Sequence, residues 1–88
     1  MKKITLFILK TCPYCKQAIR FMNELFAENP EYQSLEIEVV DESKHRDFAA
    51  KYDYYLVPTY YVGSIKMHEG VPSLYIVRQV FDEALRDD

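Results

Sequence analysis

Only two glycines and two cysteines occur among the 88 residues of this chain, and neither positive charge nor long apolar stretches are abundant. With so little glycine beside 49% hydrophobic residues, the composition argues against disorder. At this length it predicts one domain over residues 1–88. Eleven Lys and Arg stand against 14 Asp and Glu, a net charge of −3. That leaves no basic patch able to track a phosphate backbone, so nucleic acid is excluded as a partner. No apolar run reaches the roughly 20 residues that cross a bilayer, which excludes a membrane span. Two cysteines are too few to staple a small secreted domain. The charge of Met1-Lys2-Lys3 resembles a signal peptide, but Lys10 interrupts a short apolar run and no small-residue cleavage site follows. The expectation is a cytoplasmic monomer with no internal repeat, linker or low-complexity segment.

Both cysteines fall in one tetrapeptide, Cys12-Pro13-Tyr14-Cys15. Proline suits the first position of a helix, where its missing N–H leaves no unmet donor and its fixed φ is already helical. Pro13 therefore marks a helix start and puts Cys12 at the N-cap, where its sulfur, as a thiolate, is expected to accept an N–H of the first turn. Cys15 lies one turn on, on the same face. At this spacing the Cα atoms are about 5 Å apart, within the span of a disulfide. A lone C-x-x-C without a leader reads as thiol–disulfide chemistry.

Along the chain, residues 3–9 are apolar on both alternating sets, as in a central strand covered on both faces. Residues 13–28 repeat Ala18, Ile19, Met22, Leu25 and Phe26 at helical spacing, and Asn29-Pro30 closes the helix. Leu35, Ile37 and Val39 alternate with Ser34, Glu36 and Glu38, which predicts an edge strand with one wet face or one charge-protected edge. Strand, helix and strand of this length form a parallel βαβ unit with the tetrapeptide at the first strand's carboxyl end, where open α/β sheets place their chemistry. A second helix is predicted over residues 42–52, capped by Asp41 or Ser43. Residues 59–62 and 65–68 read as a hairpin around Gly63-Ser64, the later strand being outer. A last helix over residues 73–85 puts Leu74, Val77, Val80, Phe81 and Ala84 on one stripe, with Ser73 as its cap. The result is an α/β fold, four mixed strands flanked by three helices.

Other roles compete with the redox reading. Half a zinc site would need two more ligands, and His45 and His68, the only histidines, lack the close H-x₃₋₅-H spacing. His45 is expected on a solvated helix face and His68 on the exposed side of an edge strand; no metal site is expected. Pro58 has a plain reading as a proline at a strand start. The tyrosines at 52, 54, 55, 60 and 61 are expected mainly in the core, one or two of them forming an apolar collar with Tyr14. Glu36, Glu38, Asp87 and Asp88 are expected to keep the surface soluble.

Taken together, Cys12-Pro13-Tyr14-Cys15 after a first strand, Val57-Pro58-Thr59 entering a third, a hairpin, Gly70 and a last helix resemble the thioredoxin-fold family, and glutaredoxins most closely. The resemblance spans essentially the whole chain. It implies a βαβαββα thioredoxin fold and a thiol–disulfide oxidoreductase in which Cys12 attacks disulfides and Cys15 resolves the mixed disulfide. Pro13 and Tyr14 then tune the dithiol. Pro58 maps onto the family's cis-proline, with the backbone of Val57 free to pair with an extended substrate. Lys10, Val57, Thr59 and Gly70 are the implied substrate-binding positions, Lys10 lying one position nearer the motif than the family's usual basic residue. No bound cofactor is implied, and the partners are disulfide-containing proteins or glutathione mixed disulfides. Glutathione is the implied co-substrate and electron donor. In the stretch His68-Glu69-Gly70-Val71-Pro72-Ser73 the usual acidic residue for the glutamyl amine is missing. A thioredoxin-like redoxin reduced by a flavoprotein thioredoxin reductase is therefore the alternative. An iron–sulfur cluster held through Cys12, known among glutaredoxin relatives, is a further one.

Overall fold

The computed structural model describes residues 1–86; Asp87 and Asp88 lie outside the described residues. Four strands, β1 (Ile4–Ile8), β2 (Ile37–Asp41), β3 (Thr59–Val62) and β4 (Ile65–Glu69), form one sheet in the order β2-β1-β3-β4. β1 runs parallel to β2 and antiparallel to β3, and β3 pairs antiparallel with β4. The helices are α1 (Pro13–Glu28), α2 (Arg46–Ala49) and α3 (Leu74–Leu85). The two strands with apolar residues on both faces are thus inside and the other two outside, as their patterning requires. Among the described residues no helix is long and apolar enough to cross a membrane.

Strand periodicity divides the interior in two. Ile4 and Leu6 of β1, with Tyr60 and Val62 of β3, point to the face covered by α1 and α3 and meet Ala18, Met22, Leu25, Val77 and Phe81 there. Phe7 and Tyr61 point the other way, into a smaller cluster with Val40, Ala49, Phe48, Tyr52 and Tyr54. Phe7 is its centre, stacked on Tyr54 at 4.8 Å between ring centroids and in edge contact with Tyr61 at 6.1 Å. Offset and edge-on rings satisfy the aromatic quadrupoles while burying large surfaces. The two clusters clamp β1 from both sides, and β1 delivers the chain to Cys12.

Three stretches depart from the patterning. Residues 30–34 coil into a short 3-10 helix capped by Asn29, whose side chain accepts the Glu31 N–H at 3.1 Å, so β2 starts at Ile37 rather than Leu35. Within β2, Val40 is the buried residue, placed beside Phe7, while Val39 is 44% exposed at the outer edge. β2 is thus the edge strand expected, but without a single wet face: the aromatic cluster on the second face claims Val40, and the first face is left partly open. The second helix is only four residues long instead of spanning residues 42–52. Asp41 closes a turn instead of starting that helix: its carboxylate accepts the N–H and hydroxyl of Ser43, and its carbonyl accepts from Lys44 and His45. Local side-chain bonding of this kind competes with helix. His45 becomes the N-cap of α2 rather than a residue on a helix face.

Candidate active site

α1 begins at Pro13, with Cys12 at its N-cap in an extended conformation (φ −83°, ψ 118°). Cys15 and Lys16 donate their N–H groups to the Cys12 carbonyl, at 3.1 and 3.2 Å, which tightens the first turn and brings the second cysteine over the first. Both are free thiols, Cys12 partly accessible and Cys15 buried at 2% exposure. Contrary to expectation, the Cys12 sulfur makes no capping hydrogen bond; as a thiol it donates to the carbonyl of Val57 at 3.8 Å. A neutral thiol is a weak acceptor, so the N–H groups of the turn engage it fully only after the proton leaves.

The two thiols titrate apart. Burial alone would push Cys12 up, but the Cys15 N–H, the Cys15 thiol and the Tyr14 N–H outweigh it and hold Cys12 below the ordinary value. Burial pushes Cys15 up to about 12, opposed by the Leu9 backbone and reinforced by Cys12 and Glu42. The thiolate is the reactive form, so accessibility and a lowered value favour reaction at the first thiol, while burial and a raised value disfavour it at the second. Tyr60 lies fully buried, and its hydroxyl has no partner among the described residues; burial raises it, and Cys15 raises it further. Glu42 accepts the Tyr54 hydroxyl at 2.8 Å.

The Val57-Pro58 peptide bond is cis, and Pro58 is fully buried. Thr59 is also buried, and its hydroxyl donates to the Leu56 carbonyl, so this side chain ties down the loop and does not face solvent. Gly70 donates its N–H to the Pro58 carbonyl at 2.9 Å with φ +101°, a conformation that favours glycine. Thus Cys12, Pro13, Tyr14, Cys15, Val57, Pro58, Thr59 and Gly70 belong to one constellation. Lys10 stands apart from it electrically. Its ammonium is lowered mainly by Lys44, with Asp41 opposing, and the groups that act on Cys12 do not include it.

Of the tyrosines around Pro58, four are core or packed on the core, while Tyr55 is 91% exposed. Tyr14, Leu56, Val71 and Tyr75 are also large exposed apolar residues, on the segments that carry or adjoin the site. His68 bonds through Nε2 to the Val71 carbonyl at 2.8 Å. Among the described residues, no three His, Cys, Asp or Glu side chains gather to hold a metal. Sequence reasoning missed Glu69, whose carboxylate reaches back to the loop before Pro58. The available signal was an acid at a strand end three residues after Lys66, with glycine next to it.

Residues 2–82 match the family model of the thioredoxin domain. A probable thioredoxin of Methanothermobacter thermautotrophicus is 29% identical over 85 residues, which cover 97% of this chain and 93% of that relative. A solved structure described as that of a malarial protein shares the fold at a TM-score of 0.70 and 17% identity, covering 94% of this chain and 96% of the other. Because the family match runs through every strand of the sheet and both cysteines, this chain belongs to the thioredoxin domain family.

Proposed function

We propose that this redoxin reduces protein disulfides by a dithiol mechanism in which Cys12 is the nucleophile and Cys15 the resolving thiol. The Cys12 thiolate attacks one sulfur of the substrate disulfide; that S–S bond breaks, a mixed disulfide forms, and the released sulfur takes up a proton. Cys15 then loses its proton and attacks the Cys12 sulfur, freeing the second substrate thiol and closing the Cys12–Cys15 disulfide. Two electrons pass to the substrate, and an external reductant must restore the dithiol. The observation that carries this reading is the split between the two thiols, Cys12 partly open and lowered, Cys15 buried and raised. Replacing Cys15 by Ser should trap mixed disulfides between Cys12 and target proteins, and absence of any trapped species under oxidising challenge would overturn the assignment.

Of the two electron donors, a flavoprotein thioredoxin reductase has the better support. The first turn of α3 holds no acidic residue, and the Ser73 hydroxyl there is taken up by the Ile76 N–H at 3.1 Å. A glutathionyl ligand would find no carboxylate at that turn for its amine. The Pro13-Tyr14 pair, which resembles glutaredoxins, supports glutathione as the second reading. Oxidised protein should be reduced faster by NADPH with thioredoxin reductase than by millimolar glutathione; the reverse order would make it a glutaredoxin.

A further inference from the structure

We infer that Glu69 is a positioning residue for polypeptide substrates: its carboxylate holds the backbone of Tyr55 and Leu56 so that Val57 stands beside Cys12 already shaped to receive an extended chain. The inference rests on the reading that Cys12 reduces protein disulfides. Residues 50–58 join α2 to β3 without helix or strand of their own. Tyr55 and Leu56 turn their side chains outward, 91% and 60% exposed, so apolar burial cannot order this part of the loop. Its backbone polar groups do so instead. One carboxylate oxygen of Glu69 accepts the N–H groups of both Tyr55, at 2.5 Å, and Leu56, at 2.8 Å. The other oxygen accepts Lys66 Nζ at 2.7 Å, and Lys66 also donates to the Asp53 carbonyl at 3.2 Å. Tyr61 donates its hydroxyl to that same carbonyl at 2.7 Å.

The adjacent residue completes the clamp. Gly70 N–H holds the Pro58 carbonyl at 2.9 Å, so consecutive residues at the end of β4 grip the two ends of the segment from 55 to 58. Between them, Val57 makes no backbone hydrogen bond among the described residues except the one its carbonyl accepts from Cys12 Sγ, at 3.8 Å. Its peptide edge is therefore the part of the loop left for a partner. Only 19% of the Glu69 side chain is accessible, and Lys66 with the two N–H groups holds it down at about 2, so it is an anion at any working pH. Charge-assisted bonds are about twice as strong as neutral ones. A loop ordered before binding spares the complex the entropy of ordering it afterwards.

The test compares a synthetic peptide disulfide, long enough to lie along Val57, with hydroxyethyl disulfide, which is too small to reach the loop; dithiothreitol supplies electrons to both. Wild-type protein is assayed first. If it shows no Cys12-dependent reduction of the peptide, the functional reading falls, and this inference with it. Given wild-type turnover, Glu69→Ala should raise KM for the peptide roughly tenfold with kcat nearly unchanged, and leave hydroxyethyl disulfide within twofold, as expected when the ordering of about one residue of backbone is lost. Glu69→Gln keeps an oxygen for the two N–H groups and should raise the peptide KM only about threefold. A peptide KM within twofold of wild type in folded Glu69→Ala, or an equal loss on both substrates, overturns the role of Glu69 alone. If circular dichroism shows Glu69→Ala unfolded, an unchanged peptide KM in Glu69→Gln overturns it instead.

Discussion

Mixing the reduced protein with a limiting pulse of iodoacetamide at pH 7 should modify Cys12 and leave Cys15 almost untouched, and the size of the bias follows from the two thiol environments. Cys12 lies below the ordinary 9.0, so at least about 1% of it is thiolate at pH 7. Cys15, pushed up to about 12, is about 0.001% thiolate, a thousandfold less. The more basic thiolate is the better nucleophile, and a Brønsted slope of about 0.4–0.5 over three units returns a factor of roughly 20–30 to Cys15. The net preference is then at least about 30-fold from electrostatics, and the 2% exposure of Cys15 widens it further. Trypsin, cutting after Lys10 and Lys16, leaves both cysteines on residues 11–16, so fragmentation between Pro13 and Tyr14 must assign the label. The pH profiles should differ as well. Cys12 labelling should rise through a midpoint below 9.0 and level off, whereas Cys15 labelling should climb with pH throughout the range from 6 to 10. Because the Cys15 thiol helps to lower Cys12, Cys15→Ala should move the Cys12 midpoint upward. Comparable labelling of the two cysteines at pH 7, or a Cys12 midpoint above 9.0, would refute the reasoning.

Tyr60→Phe removes a buried hydroxyl that lacks a partner among the described residues, and should raise unfolding free energy by about 1 kcal/mol or more in urea titrations, since an unmet buried donor costs ~1–3 kcal/mol. A loss of stability would mean that the hydroxyl is engaged in solution. Ser73→Ala removes the cap on the Ile76 N–H and should cost about 1 kcal/mol, read as a thermal midpoint lowered by roughly 4–8 °C. No change in midpoint would show that the last helix is held by packing alone.

The elements most legible in the sequence are those held by near neighbours along the chain. Pro13 at the first helical position and the spacing of Ala18, Met22 and Leu25 define α1 to the residue, because proline stereochemistry and helical periodicity are local properties. Ser73 caps α3 for the same reason, and Gly63, at φ +58°, turns the hairpin. The family-level reading came from the resemblance carried by Cys12-Pro13-Tyr14-Cys15 together with Val57-Pro58-Thr59, Gly70 and the order of the elements, whereas the cysteine spacing by itself left redox chemistry and metal binding both open. Where local rules competed, the pattern was ambiguous. Asp41 was a plausible helix cap, but its bonds to Ser43 spent it on a turn and shortened α2. Asn29 ended one helix and started another, delaying β2.

What only the tertiary structure decided are relations between residues far apart in sequence. That Val40 rather than Val39 is buried depends on Phe7, its partner across the β1–β2 register. The difference between Cys12 and Cys15 depends on how deeply each is buried once the helix is docked, which the two identical side chains do not carry in themselves. The loop that faces Cys12 is held by Glu69, 13 and 14 residues further along the chain, through backbone N–H groups that every residue but proline possesses. Sequence alone thus determined that two thiols stand one turn apart at a helix start, because residue types and their spacing are written residue by residue. The fold decided which thiol is accessible and which is buried, and what holds the loop beside them, because burial and hydrogen bonding to backbone are properties of an assembled neighbourhood.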